Sequence, residues 1–129
     1  MLLSSALVVS KIIIAITIGN VWLFRVNKPT PWRGGDAKSM KEEFETYGLS
    51  KPIMYLVGTI KIALAIVLVI SIWVTDLSTP TAGAMGIFML GAIAMHFKVA
   101  DPKIRSFPAL ILLLLCIGIV VGEVLLEDF

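Results

Sequence analysis

Four long apolar stretches, residues 2–24, 53–74, 82–97 and 108–126, occupy most of this 129-residue chain. At a rise of about 1.5 Å per residue, helices formed by such stretches can cross a hydrocarbon core. Backbone polar groups cannot remain unpaired in lipid, and these stretches lack the in/out alternation of barrel strands. The sequence therefore predicts an all-α integral membrane four-helix bundle, a single domain over residues 1–129, with Trp22 and Trp73 near opposite membrane boundaries.

The basic residues are distributed unevenly along the chain. Nine of the eleven Lys and Arg lie in two connecting segments, one after the first stretch and one between the third and the fourth. The other connection and the chain ends carry only the acidic residues Asp76, Glu127 and Asp128. The positive-inside rule then predicts that both termini lie outside and both basic loops in the cytoplasm. Attraction to anionic lipid accounts for such loops, so no nucleic-acid partner is expected.

The segment 36–47 has the pattern of a short helix. Ser39 and Glu42 form a potential capping box, Gly48 suits the position after the last turn, and Pro52 suits the start of the next helix. One face is apolar, and it carries Met40, Phe44 and Tyr47. The other face carries Lys41, Glu42, Glu43 and Glu45. We therefore expect a short amphipathic cytoplasmic helix between the first two spans, lying on the membrane surface or capping the bundle.

Two charged residues lie within the predicted first and fourth spans. Lys11 is about a third of the way into the first span from the outside, and Glu123 is near the outer end of the fourth. A charge held inside a membrane is costly, and membrane charges usually pair with one another. Lys11 and Glu123 are therefore predicted to form an intramembrane ion pair, with a structural role as the simplest explanation.

Lys61 is the second intramembrane cation, about a third of the way into the second span from the inside. It shares a helical stripe with the small residues Gly58 and Ala65, which predicts that it points into the bundle. His96 lies toward the same end of the third span. Lys61 and His96 are thus candidates for one polar pocket, which would hold a quinone carbonyl, a lipid headgroup, or simply water and Asp101. A lone histidine cannot complete a two-histidine haem or metal site within the chain, so no metal is expected.

Other features predict close helix packing rather than chemistry. Gly118 and Gly122 form a G-x-x-x-G pattern in the fourth span, where small residues allow helices to approach within the bundle or between subunits. Cys116 is the only cysteine, which excludes an internal disulfide and is typical of a small packed thiol. No nucleophile with a base and no paired acids are evident, so no catalytic residues are predicted and an enzyme is not expected.

Three segments together resemble the DoxX-like family of small four-helix membrane proteins. They are residues 40–49 (MKEEFETYGL), residues 57–61 (VGTIK) and residues 96–102 (HFKVADP). The resemblance implies a small membrane subunit that works with a larger partner, located in a bacterial inner membrane. The family takes its name from a subunit associated with thiosulfate:quinone oxidoreductase. Many relatives have an acidic residue where Lys61 stands, so a role inferred for an acid at that position does not transfer.

These observations favour a small accessory or assembly subunit of a bacterial membrane complex, without its own catalytic centre or cofactor. Its partners would be the lipid bilayer and a larger membrane protein or a second copy of itself. The alternative is a quinone- or lipid-binding, redox-linked subunit in which Lys61 stabilises a developing oxyanion. A small multidrug-type exporter has a similar size, but it needs a carboxylate in the first span, where this chain has Lys11.

Overall fold

The computed structural model describes residues 2–127, which contain helices and no strands. The α-helices are, in chain order, α1 (Leu2–Gly19), α2 (Met40–Thr46), α3 (Lys51–Ile70), α4 (Ser78–Lys98) and α5 (Phe107–Glu127). A π-helical turn, Asn20–Phe24, extends α1 without a break. With these extensions, four helical segments are long and apolar enough to cross a membrane. The predicted all-α, four-span architecture is confirmed.

The four long helices form a closed ring. Helix α1 packs against α3, α3 against α4, α4 against α5, and α5 against α1. The α4–α5 interface is the most extensive, and Gly86 is buried in it beside Leu113 and Cys116. The centre of the ring is closed by fully buried side chains, namely Ile14, Leu68, Met85 and Ile119.

The outer surface of the ring is covered by large aliphatic side chains. Ile16, Ile66, Ile87 and Leu114 are each more than half exposed. A water-soluble protein rarely exposes a continuous apolar surface of this extent, whereas hydrocarbon solvates it readily. Residues 25–50 and 99–106 meet at one end of the bundle, which we call the basic end. The α3–α4 connection lies at the opposite end.

Helix α3 is shifted toward the N-terminus relative to the predicted span. It begins at Lys51, where Ser50 precedes it and Pro52 occupies the first turn, and it ends at Ile70 rather than at residue 74. The chain then turns through Ser71–Val74, with Trp73 exposed. As a result, Lys61 lies halfway along α3 rather than a third of the way, which makes its burial more costly than expected.

Helix α2 is shorter than the predicted segment 36–47 because its N-cap is Ser39. The Ser39 hydroxyl accepts a hydrogen bond from the Glu42 amide at 3.2 Å, as the capping box predicts. Gly48 follows the helix with a φ of +79°, and the Leu49 amide bonds back to the Phe44 carbonyl at 2.8 Å. This short helix closes the basic end of the bundle.

Candidate ligand-binding cavity

A cavity of about 740 Å³ lies in the half of the bundle next to the basic end. All four long helices contribute to its wall, and residues 25–49 form its roof. Most of the wall is apolar, including Ile18, Val21, Val57, Phe88, Met89, Met95 and Leu112. The polar side chains at the cavity include Arg33, Glu43, Tyr47, Lys61, His96 and Arg105. A large apolar volume with a few polar groups is typical of a small-molecule site.

Lys61 faces the cavity and has no hydrogen bond to any part of residues 2–127 that the structure describes. Its ammonium lies over the face of Trp22, whose ring centroid is 5.4 Å from the Lys61 Nζ. The Trp22 indole, which was expected near a membrane boundary, is only 8% exposed and packs inside the bundle. Gly58, one turn before Lys61, provides the space that the indole fills. The Lys61 ammonium therefore remains available to a ligand.

Replacing Gly58 with alanine tests this packing. The added Cβ would lie 2.5 Å from the nearest Trp22 ring carbon, so the indole must move. We expect the free energy of unfolding to fall by about 1–3 kcal/mol, the usual cost of overpacking. Gly118→Ala is the matched control, because a Cβ there meets nothing within 4 Å and alanine favours helix. Equal stability of the two variants in mixed-micelle unfolding would contradict the assigned role of Gly58.

His96 is held in place by Asp101, which follows it after one turn of chain. Its Nδ1 lies 2.8 Å from Asp101 Oδ2, while Asp101 Oδ1 accepts hydrogen bonds from the Gly35 amide at 2.9 Å and from Arg105 at 3.0 Å. Burial alone would raise the pKa of Asp101, but these hydrogen bonds and the positive charge of Arg105 outweigh it and hold the pKa below its usual value. An ionised Asp101 can only accept, so His96 donates from Nδ1.

The other ring nitrogen of His96, Nε2, accepts a hydrogen bond when the ring is neutral and donates one when the ring is protonated. The His96 side chain lines the cavity, and Nε2 has no hydrogen bond to the described residues. Asp101 itself lies behind the histidine rather than in the wall of the cavity. Of the three predicted ligand-binding candidates, Lys61 and His96 thus reach the same cavity without touching each other, and Asp101 orients His96.

The roof contains a polar network that the sequence analysis did not identify. Glu43 was expected on the polar face of α2, but it is only 8% exposed. Its carboxylate binds Arg33 at 3.0 Å, the Gly34 amide at 3.1 Å and the Tyr47 hydroxyl at 2.6 Å. Burial and the neighbouring Glu43 charge raise the pKa of Tyr47, so its hydroxyl stays protonated and donates. The burial of Glu43 could have been predicted from its spacing, because it falls within the apolar stripe of α2 that is formed by Met40, Phe44 and Tyr47.

An aromatic series connects the two ends of the cavity. Trp22 lies edge-on to Phe44 at a centroid distance of 5.9 Å, Phe44 lies 6.2 Å from Tyr47, and Tyr47 lies edge-on to His96 at 6.0 Å. These distances are typical of favourable aromatic pairs. The series fixes the positions of Lys61 and His96 relative to each other. Among residues 2–127, no three His, Cys, Asp or Glu side chains gather as a metal site.

A second buried polar cluster lies at the opposite end of the bundle. The structure brings Lys11 within 3.5 Å of the Glu123 carboxylate, and Lys11 also donates to the Ser78 hydroxyl at 2.8 Å and the Ser71 carbonyl at 3.2 Å. Lys11 is only 2% exposed, and two hydrogen bonds and one ion pair compensate for the burial of its ammonium. The cluster joins α1, α4, α5 and the α3–α4 connection, which is the arrangement expected of a structural ion pair.

The predicted packing glycines differ in what they contact. A Cβ at Gly122 would lie 2.6 Å from a Leu7 methyl group, so this glycine allows α1 and α5 to approach. A Cβ at Gly118 would meet nothing within 4 Å. Of the three predicted packing glycines, Gly58 and Gly122 therefore contribute to packing within the described part of the chain, and Gly118 does not. Cys116 is buried beside Gly86, in agreement with a packed thiol.

Four apolar spanning helices closed around a partly polar cavity define this chain as a small multi-pass membrane protein. The chain belongs to the DoxX-like family, whose model matches residues 34–118. The matched range includes Glu43, Lys61, His96 and Asp101, whereas Arg33, Lys11 and Glu123 lie outside it. No curated protein and no solved structure matches the chain.

Proposed function

We propose that this protein is a membrane subunit that binds an amphiphilic ligand through an electronegative headgroup oxygen, a quinone carbonyl or a lipid phosphate. The observation that supports it best is the Lys61 ammonium, which faces the cavity from the middle of α3 without a hydrogen bond to the described residues. An ammonium inside a membrane is costly unless it is paired. An oxygen atom of a ligand headgroup would offset that cost.

His96 supplies a second polar contact of a different kind. Because Asp101 accepts its Nδ1 proton, the neutral ring presents Nε2 as an acceptor, so it suits a hydroxyl of the ligand. Lys61 can only donate and suits a carbonyl or phosphate oxygen. The apolar wall would hold the ring or the acyl chain of the ligand. With a quinone, the Lys61 charge would stabilise the negative charge of a reduced headgroup, which is what a redox-linked subunit requires.

Lys61→Met is expected to weaken ligand binding strongly, with little effect on the fold. A hydrogen bond to a charged group contributes about 1.5–3 kcal/mol, which corresponds to a dissociation constant about 10- to 100-fold higher. The measurement is quenching of tryptophan fluorescence by decyl-ubiquinone, and separately by brominated phosphatidylglycerol, in lipid nanodiscs. Trp22 is a suitable reporter because it lines the cavity.

Lys51→Met is the matched control for this measurement. Lys51 is at the start of the same helix, exposed and 5.7 Å from the Tyr55 ring centroid, outside the cavity. Saturable quenching by the quinone alone would identify a quinone site, and saturable quenching by the anionic lipid alone would identify a lipid site. If Lys61→Met and Lys51→Met bind both probes as the unchanged protein does, the proposal is wrong.

The accessory or assembly subunit is the second candidate function, and the two are compatible. Gly118 favours it, because a helix-interior glycine that faces outward lowers helix stability unless another helix packs against it. Native mass spectrometry of the protein extracted gently from its own membrane tests this proposal. A stoichiometric larger protein or a second copy would support it. A protein that is fully functional as a monomer would exclude it.

A further inference from the structure

The wall of the cavity contains exposed residues at two levels. Asn20, Arg25, Pro31 and Trp32 are exposed at or near the basic end, whereas Ile87, which is 69% exposed, and Gly91 belong to the spanning part of α4. Gly86 packs on Leu113 and Cys116 of α5, and Gly91 lies about 140° further around α4, on the side nearer α3, whose Val57 and Lys61 also line the cavity. Helices α3 and α4 also share the least extensive interface of the four neighbouring pairs. The wall is therefore thinnest between α3 and α4.

Gly91 is the smallest part of this wall. A Cβ at this position would meet nothing within 4 Å, so no neighbouring side chain covers it. Gly91 precedes Lys98, the end of α4, by seven residues and Ile87 precedes it by eleven, which places them about 10 Å and 16 Å from the basic end of the helix. Half of a hydrocarbon core is about 15 Å thick. The opening thus faces acyl chains rather than water.

The roof, in contrast, is held in place by hydrogen bonds within it and to the neighbouring parts of the bundle. Arg33 binds Glu43 and the Lys28 carbonyl, and both contacts are 3.0 Å long. The Lys98 ammonium donates to the Tyr47 carbonyl at 2.7 Å, and Arg105 donates to the Gly35 carbonyl at 2.6 Å. Helix α4 and the connection between α4 and α5 are thus both attached to the roof. Lifting it would break several charge-assisted hydrogen bonds at once.

We propose that the cavity exchanges its ligand directly with the hydrocarbon core, through the gap between α3 and α4 at Gly91. This inference rests on the proposed ligand binding and specifies its class: the ligand is a membrane-dissolved amphiphile that moves sideways from the bilayer, with its headgroup reaching Lys61 as it passes the gap. Gly91 and Ile87 then control the rate of exchange, while Lys61 controls the affinity.

Gly91→Phe tests the route, because a phenyl ring at this position would fill the gap. The measurement is stopped-flow quenching of tryptophan fluorescence when protein in nanodiscs is mixed with vesicles that contain decyl-ubiquinone, and the reverse transfer into empty vesicles. Blocking a route slows association and dissociation together, so we expect both rates to fall by about tenfold. Ile87→Ala, which widens the gap, is expected to accelerate both rates.

Gly83→Phe is the matched control. Gly83 lies two turns away on α4, its Cβ position is equally open, and it does not line the cavity. Unchanged rates in Gly91→Phe, or equal slowing in Gly83→Phe, would overturn the proposed route. Access through the α1–α5 side, where Thr17 and Val21 line the cavity, would then be the route to examine. Because Lys61→Met changes the affinity and Gly91→Phe the rates, failure of the route is distinguishable from failure of binding.

Discussion

Replacing Glu43 with alanine is expected to lower the free energy of unfolding by about 3–5 kcal/mol, because it leaves a buried Arg33 guanidinium without its carboxylate. The same change removes the acceptor of the Tyr47 hydroxyl and of the Gly34 amide. All three groups lie in the roof, so we expect the loss to appear there first. Reversible unfolding in mixed detergent micelles measures the stability, and hydrogen exchange at the Gly34 amide measures the opening of the roof.

Glu45→Ala is the matched control on the same helix. Glu45 is exposed, and its oxygen lies 3.9 Å from the Lys41 ammonium, which is also exposed. Solvent-exposed ion pairs contribute little, so we expect a change within about 0.5 kcal/mol. Glu43→Gln is a milder variant that keeps an acceptor for Tyr47 but removes the charge facing Arg33. Similar stabilities of the Glu43 and Glu45 alanine variants would show that the buried network does not stabilise the roof.

Lys11→Met is expected to have an effect of similar size at the opposite end of the bundle. It leaves the Glu123 carboxylate inside the membrane without its Lys11 partner, and it removes the donor to Ser78. Removing one partner of a buried pair costs about 3–5 kcal/mol. Unfolding in mixed micelles again measures the loss, and the ligand-binding properties of the cavity should not change because the two sites lie at different ends of the bundle.

The double variant Lys11→Met with Glu123→Leu identifies the source of that loss. If the unpaired carboxylate causes it, removing the carboxylate as well should restore most of the stability, since apolar residues often replace a buried pair at little cost. The two changes must then be strongly non-additive in a double-mutant cycle. Additive losses would mean that Lys11 stabilises the bundle through Ser78 and Ser71 rather than through Glu123.

The helical architecture could be predicted from the sequence because a membrane allows few alternatives. Four apolar stretches and two basic loops leave little choice for a spanning chain. Local signals also located the short helix, where Ser39 and Gly48 lie at its two ends as expected. The predicted helix ends were less accurate. Hydropathy alone extended α3 to residue 74, although the helix ends at Ile70. As a consequence, Lys61 was predicted a third of the way along the span, whereas it lies halfway along α3.

The site was only partly predictable, because its polar groups come from segments that are far apart in the sequence. Helical stripes correctly directed Lys61 inward and placed His96 toward the same end. They could not show that Trp22, 39 residues before Lys61, would lie beneath its ammonium. The charge of Glu43 alone predicted a solvent-exposed side chain, although its spacing along α2 placed it among apolar residues. The burial of this charged side chain thus depended on its position in the fold and not on its residue type.

The two partners of the buried Lys11 ion pair belong to helices that are synthesised at different times, since α1 precedes α5 in the chain. Ribosomes add about 5–20 residues per second, so Glu123 is synthesised on the order of ten seconds after Lys11. Before α5 is made, Lys11 can bond to Ser71 and Ser78 but lacks its carboxylate partner. Synthesis of α5 therefore completes the neutralisation of the charge in α1, and products terminated before α5 are expected to be retained less stably in the membrane and degraded faster by its proteases.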